Sequence, residues 1–143
     1  MSMKKSASAA WQGSLKEGHG QVSTESGALK EVPYNFGQRF EGKPGSNPEE
    51  LVGAAHAGCF SMALSMIMGE AGLEPEKIET EATVTLSQDD SGFSISSVHL
   101  KTRVRSPGAD QAAFQEAAEK AKAGCPVSKL LNAEITLDAT LES

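Results

Sequence analysis

Two thiols are the most reactive side chains in this sequence. Cys59 sits in Ala54-Ala-His-Ala-Gly-Cys-Phe-Ser-Met-Ala-Leu64, and Cys125 in Ala121-Lys-Ala-Gly-Cys-Pro-Val-Ser128. They lie 66 positions apart and form no Cys-x-x-Cys pair. Three roles are open to them: inert core residues, metal ligands, or a redox pair. Free cysteine is among the most buried residue types, so on spacing alone Cys59 reads as a core residue. Zinc needs four ligands, and structural sites bring at least two of them in close spacing. His56 and Cys59 share a helix face at i, i+3, but His19 and His99 would have to complete the set. His99 alternates with Lys101, Arg103 and Arg105 on the solvated face of a strand, which disfavours a metal.

A thiol inside an apolar helix has its pKa raised by desolvation, so reactivity requires a fixed cation nearby. Three arginines are available. Arg103 and Arg105 share a strand face with Lys101 and read as solvated. Arg39 lies in the aromatic stretch Tyr34-Asn-Phe-Gly-Gln-Arg-Phe40, expected to be a loop, and is the candidate to lower the pKa of Cys59. Glu49 is suited to hold such an arginine, or simply to face a helix N-terminus. In an unbroken helix Glu49 and Cys59 are about 15 Å apart along the axis. They share one site only if the helix bends sharply or Glu49 comes from a second chain. Cys125 follows a glycine and precedes a proline at a helix start, where backbone N–H groups stabilise a thiolate. Local sequence therefore favours Cys125 as the low-pKa thiol and leaves open which cysteine attacks first.

The elements that must position these groups are readable in outline. Residues 5–34 hold short stretches broken by Gly13, Gly18-His-Gly20 and Ser26-Gly27, predicting two or three short strands. The loop Gly42-Lys-Pro-Gly-Ser-Asn-Pro48 ends in a helix start, with Asn47 as cap, Pro48 in the first position and Glu49 and Glu50 toward the positive end of the dipole. The helix that follows runs to about Gly69 or Gly72 and is apolar on nearly all sides. A membrane span is disfavoured by Gly53, His56, Gly58 and the acidic start, so the helix belongs inside protein, partly covered by a second chain.

Ile78, Ala82, Val84 and Leu86 alternate with polar residues as a half-buried strand. The next strand, Phe93–Arg105, shifts its apolar set from odd to even positions, predicting a bulge near Ser96-Ser97. An amphipathic helix capped by Asp110 carries Ala113, Phe114, Ala117, Ala118 and Ala121 on one face and is expected to stop at Gly124. A short helix from Cys125-Pro126 and an alternating strand over Ile135–Leu141 complete an α+β fold with antiparallel sheets around a long buried central helix.

The 143 residues suit a single domain, residues 1–143. A net charge of −6 with scattered basic residues argues against a nucleic-acid surface. The first ten residues lack the apolar stretch of a secretory signal, predicting a cytoplasmic protein whose thiols are kept reduced.

These residues resemble the OsmC/Ohr family of peroxide-reducing proteins, and its OsmC branch in particular. The resemblance runs through Ser23-Thr-Glu-Ser-Gly27, Arg39-Phe-Glu-Gly42, Asn47-Pro-Glu-Glu-Leu51 and both cysteine segments, and continues in Ala133-Glu-Ile-Thr-Leu137. It covers essentially the whole chain. It implies an intertwined α+β homodimer with active sites at the interface. It also implies that Cys59 attacks the peroxide and Cys125 resolves, with Arg39 and Glu49 as activating partners, the reverse of the order that local sequence favours.

The chemistry implied is reduction of organic hydroperoxides, and less efficiently hydrogen peroxide, through a Cys59 sulfenate and a Cys59–Cys125 disulfide. An external dithiol would reopen the disulfide, in related Ohr enzymes a lipoylated protein. No metal, flavin or haem is required, and the role implied is antioxidant stress defence. Phe36, Phe40, Phe60 and Met66 are either plain core or an apolar wall favouring alkyl hydroperoxides. Three rivals make different predictions. A non-catalytic dimer would leave both thiols inert, and a thioesterase using Glu49 as base would tolerate loss of both cysteines. A protein disulfide oxidoreductase would be expected to carry Cys-x-x-Cys.

Overall fold

Alternating runs near the N-terminus build a small antiparallel sheet in a computed structural model that describes residues 1–142. Strands β1 (Ala7–Gln12), β2 (His19–Thr24) and β3 (Val32–Tyr34) lie in that order, with Trp11 opposite Gly20 and Gly20 opposite Tyr34. The Trp11 and Tyr34 rings meet at 5.4 Å between centroids. A Cβ at Gly20 would fall 2.6 Å from the Ala10 carbonyl oxygen and from the Trp11 ring, so only glycine lets the two aromatics close over the strand.

The stretch holding Arg39 is a short helix, α1 (Phe36–Phe40), where a loop was expected. Asn35 caps it by accepting from the Gln38 amide at 3.0 Å, and Phe36 and Phe40 stack at i, i+4 with centroids 5.0 Å apart. The long helix α2 (Pro48–Glu70) starts as its sequence dictates, with the Glu50 amide donating to Asn47 Oδ1 at 2.9 Å. It ends in a Schellman motif. The Leu73 amide reaches the Met68 carbonyl and the Gly72 amide reaches that of Gly69, with Gly72 at φ +79°.

The chain divides into two compact units, Met1–Leu51 and the chain from Val52 onward. In the second, β4 (Lys77–Asp89) pairs antiparallel with β5 (Gly92–Arg105). Thr85 faces Ser97 while Leu86 faces Ile95, so Ser96 is the extra residue of the expected bulge. The third strand, β6 (Glu134–Glu142), lies parallel to β5, with Val98 opposite Ile135. The expectation of purely antiparallel sheets fails at this pair. The connection from β5 to β6 carries two helices, α3 (Gln111–Gly124) and α4 (Pro126–Leu130), and a crossover of that length returns the chain in the same direction.

Asp110 caps α3 as expected, accepting from the Ala113 amide at 2.9 Å. Gly124 does not stop it by a left-handed turn, since its φ is not positive. The helix does end at Gly124, because Pro126 forces Cys125 into an extended conformation (φ −61°, ψ 132°).

Phe60, Leu64 and Met68 of α2, Val98, Leu100 and Val104 of β5, and Phe114, Ala117, Ala118 and Ala121 of α3 form one buried core, and Cys125 belongs to it. Gly53 lets α2 approach β4, since a Cβ there would already lie 3.4 Å from the Ala82 carbonyl. A polar thread fixes the register: Ser61 Oγ donates to Thr80 Oγ1 at 2.8 Å, and Thr80 bonds the buried Thr102 at 3.0 Å. The burial of α2 is one-sided. Gly53, His56, Phe60, Leu64 and Met68 make a narrow buried stripe, while Met62 and Met66 are 78% and 61% exposed.

Candidate active site

Helix α2 and the α3–α4 junction bring the two cysteines together. Both are free thiols, Cys59 half-buried and Cys125 fully buried; Cys59 packs against the core cluster that contains Cys125, and each thiol acts on the other's ionisation. Cys59 sits one position before the core residue Phe60, at the edge of the buried stripe. Cys125 sits where the proline break turns its side chain over the start of α4. There its sulfur acts as an N-cap, accepting from the Ser128 amide at 3.5 Å and from the Ser128 hydroxyl at 3.5 Å.

The surroundings displace the pKa values of the two thiols in opposite directions. Burial pushes Cys59 up, a hydrogen bond from the Val127 amide opposes this, and the neighbouring Cys125 raises it further. Burial also opposes ionisation of Cys125, but donors from the Ser128 amide and hydroxyl, the Cys59 thiol and the Val127 amide together bring it below the usual thiol value. The local-sequence reading of Cys125 as the low-pKa thiol agrees with this direction. Among the described residues of this unit, no cation acts on Cys59.

The first unit holds the expected charge pair. Arg39 Nε and Nη2 donate to the two carboxylate oxygens of Glu49 at 3.0 and 3.1 Å. The Glu49 side chain is only 13% exposed, and the guanidinium also lies 5.2 Å from the centre of the Phe40 ring. Arg39, Phe36 and Phe40 line a cavity of about 240 Å³ with Trp11, Leu15 and Tyr34. Of the remaining apolar candidates, Phe60 is plain core and Met66 lies exposed on α2.

Two residues in contact with this chemistry were not singled out for it from sequence. The signal for Ser128 is Cys-x-x-Ser at a helix start, which places its amide and hydroxyl within reach of a capping sulfur. His56 reads from the sequence only as a candidate metal ligand. It is fully buried, and its Nε2 lies 2.7 Å from Ser128 Oγ.

A dithiol pair joining a long central helix to a helical crossover, within an α+β fold of two small sheets, defines a class of thiol-bearing proteins. The chain belongs to the OsmC family: the family model described as OsmC-like protein matches residues 40–140. It is 55% identical over 143 residues to peroxiredoxin OsmC of Escherichia coli, covering all of both chains. It is 32% identical over 101 residues to an organic hydroperoxide resistance protein of Xanthomonas axonopodis pv. citri, covering 70% of this chain and 69% of that one. Among solved structures, an organic hydroperoxide resistance protein from Elizabethkingia anophelis superposes with a TM-score of 0.76 at 26% identity, covering 99% of this chain and 100% of that one. An OsmC-like protein from Mycoplasma pneumoniae shares the fold with a TM-score of 0.77 at 16% identity, over the full length of both chains.

Proposed function

We propose that this chain is a cysteine-based peroxidase that reduces organic hydroperoxides to alcohols. The observation that carries the reading is the pairing of an accessible thiol with a buried one held ready as a nucleophile. A peroxide can reach the half-buried Cys59 sooner than the fully buried Cys125. Cys59 therefore takes the oxidation, the alcohol leaves, and a sulfenic acid remains on Cys59. Cys125, with its lowered pKa, then closes a Cys59–Cys125 disulfide before further oxidation proceeds. The relatives' names, peroxiredoxin and organic hydroperoxide resistance protein, support the same chemistry.

Cys59 has a raised pKa on its own unit and needs a cation. The bidentate Arg39–Glu49 pair is suited to supply it, with Glu49 orienting the guanidinium toward thiolate and peroxide. Because α2 is continuous from Pro48 to Glu70, Glu49 and Cys59 are about 15 Å apart along its axis. We therefore assign the activating pair to the partner chain of a homodimer, in which the exposed apolar face of α2 at Met62 and Met66 is covered. Phe36 and Phe40, beside Arg39, form the apolar wall that prefers alkyl hydroperoxides. The family match crosses the boundary between the two units, which supports one OsmC-like domain over residues 1–143. A dithiol, in the simplest case a lipoylated protein, reopens the disulfide by exchange in the cytoplasm, and the role is antioxidant defence.

Intact mass after one equivalent of cumene hydroperoxide, with free thiols trapped, tests this. The expected result is loss of both thiols and of about 2 Da, the two hydrogens of disulfide formation. Cys59→Ser should abolish turnover, and Cys125→Ser should allow one oxidation and then stall. Two thiols surviving unchanged would overturn the reading.

A further inference from the structure

The buried end of α2 places a histidine behind the second cysteine. His56 Nε2 lies 2.7 Å from Ser128 Oγ, and Ser128 Oγ lies 3.5 Å from Cys125 Sγ. His56 and Cys125 are both fully shielded from solvent, and Ser128 is 9% exposed. A chain of three polar groups thus runs through the core from α2 to the start of α4.

The direction of this chain follows from its ends. Ser128 has one hydroxyl proton, and the geometry directs it to the sulfur. The serine oxygen is then free to accept from His56 Nε2. Among the described residues the buried Nδ1 of His56 has no partner. Orphaned buried N–H groups are rarer than orphaned acceptors, so the ring proton belongs on Nε2, where it is used. Donation therefore runs from His56 to Ser128 to Cys125. Burial lowers the pKa of His56, which keeps the ring neutral and able to serve as this fixed dipolar donor near neutral pH.

We propose that His56 is a positioning residue for the resolving step, acting through the Ser128 hydroxyl to hold Cys125 as the nucleophile. The proposal rests on the peroxidase reading above and assigns a role within that cycle. The Cys125 thiolate attacks the sulfenic sulfur of Cys59, the S–S bond forms and the S–O bond breaks. The departing hydroxide takes the proton that Cys125 has released, so thiol plus sulfenic acid give disulfide plus water. The hydroperoxide has already supplied the oxidising equivalents. Two titratable groups reach Cys125 from α2, Cys59 directly and His56 through Ser128. On its own side, Lys122 is paired with Glu119 at 3.2 Å and Lys129 is exposed. The serine–histidine chain is thus the local device that favours the thiolate without a cation.

The test uses the full chain carrying Cys59→Ser, so that Cys125 is the single thiol. Its thiolate absorbance and alkylation rate are followed against pH. Ser128→Ala and His56→Phe should each raise the midpoint by about one pH unit, leaving roughly tenfold less thiolate at neutral pH. Ser128→Thr should restore the midpoint, and His56→Gln, which keeps an N–H donor, should restore part of it. In chains with both cysteines, Ser128→Ala should slow disulfide closure after a single hydroperoxide addition by about tenfold. A midpoint that stays put in folded Ser128→Ala protein overturns the proposal, and that variant decides the matter if His56→Phe fails to fold. If wild type oxidises and closes its disulfide normally while the midpoint is unmoved, the relay alone is wrong. If wild type consumes no hydroperoxide, the peroxidase reading falls first.

Discussion

Arg39 grips Glu49 with two parallel hydrogen bonds, at 3.0 and 3.1 Å, and the carboxylate side of the pair is mostly shielded from water. A planar guanidinium with two oxygens fixed on one edge presents its remaining N–H groups in one direction. That arrangement is a pre-aimed donor, and it cannot be reproduced by a point charge on a flexible stem. Arg39→Lys should therefore lower kcat/KM for cumene hydroperoxide by about a hundredfold, the scale of losing one aimed donor. Steady-state peroxidase kinetics check it, and full activity in the lysine variant would remove the orienting role.

A second prediction concerns acid stability. Burial depresses the pKa of His56 below its ordinary value of 6.5, so the unfolded chain binds the proton more readily than the folded one. The stability that follows is fully present above pH 6.5 and is lost as pH falls below it toward the depressed folded value. Thermal unfolding between pH 7 and pH 5 should show a steeper fall in Tm for wild type than for His56→Gln. Parallel curves would mean that the imidazole does not titrate on unfolding.

The exposed side of α2 gives a third. Met62 is 78% exposed on a helix with almost no polar residue to offer water. If a second copy covers this face, Met62→Asp places an unpaired charge in the interface. Light scattering should then report a monomer where wild type gives a dimer. An unchanged dimer would move the interface elsewhere.

The fourth concerns the core beneath the thiols. Phe60 is completely buried next to Cys59 and touches the same cluster as Cys125. Phe60→Ala should cost about 3–5 kcal/mol in urea unfolding, as large-to-small aromatic changes do. A cost under about 1 kcal/mol would mean that the surroundings collapse into the space.

Sequence made some of this architecture plain and hid the rest for identifiable reasons. Local rules located the caps at Asn47 and Asp110, and the parity change in β5 located the bulge at Ser96, because each depends on neighbours in the chain. The parallel placement of β6 was not legible, since alternation along Ile135–Leu141 is the same in either direction and only the helical crossover decides it. α3 ends at Gly124 as its sequence indicates, but through the restriction that Pro126 places on Cys125 rather than a left-handed glycine. At the thiols, Cys59 and Cys125 were evident as residue types. Their pairing is legible only through the family resemblance, and the Ser128–His56 chain behind Cys125 depends on packing between segments distant in sequence.

The pairing of the two thiols has a consequence for the chain's own thermodynamics. A bond between them closes a loop of roughly 66 residues that takes in the second half of α2 and all of β4, β5 and α3. Closing a loop of that size removes chain entropy from the unfolded ensemble amounting to about 4 kcal/mol at room temperature. Each oxidative turn would thus pass through a form harder to unfold than the resting one. The reductant that reopens the bond would have to overcome that difference in addition to the intrinsic strength of the disulfide.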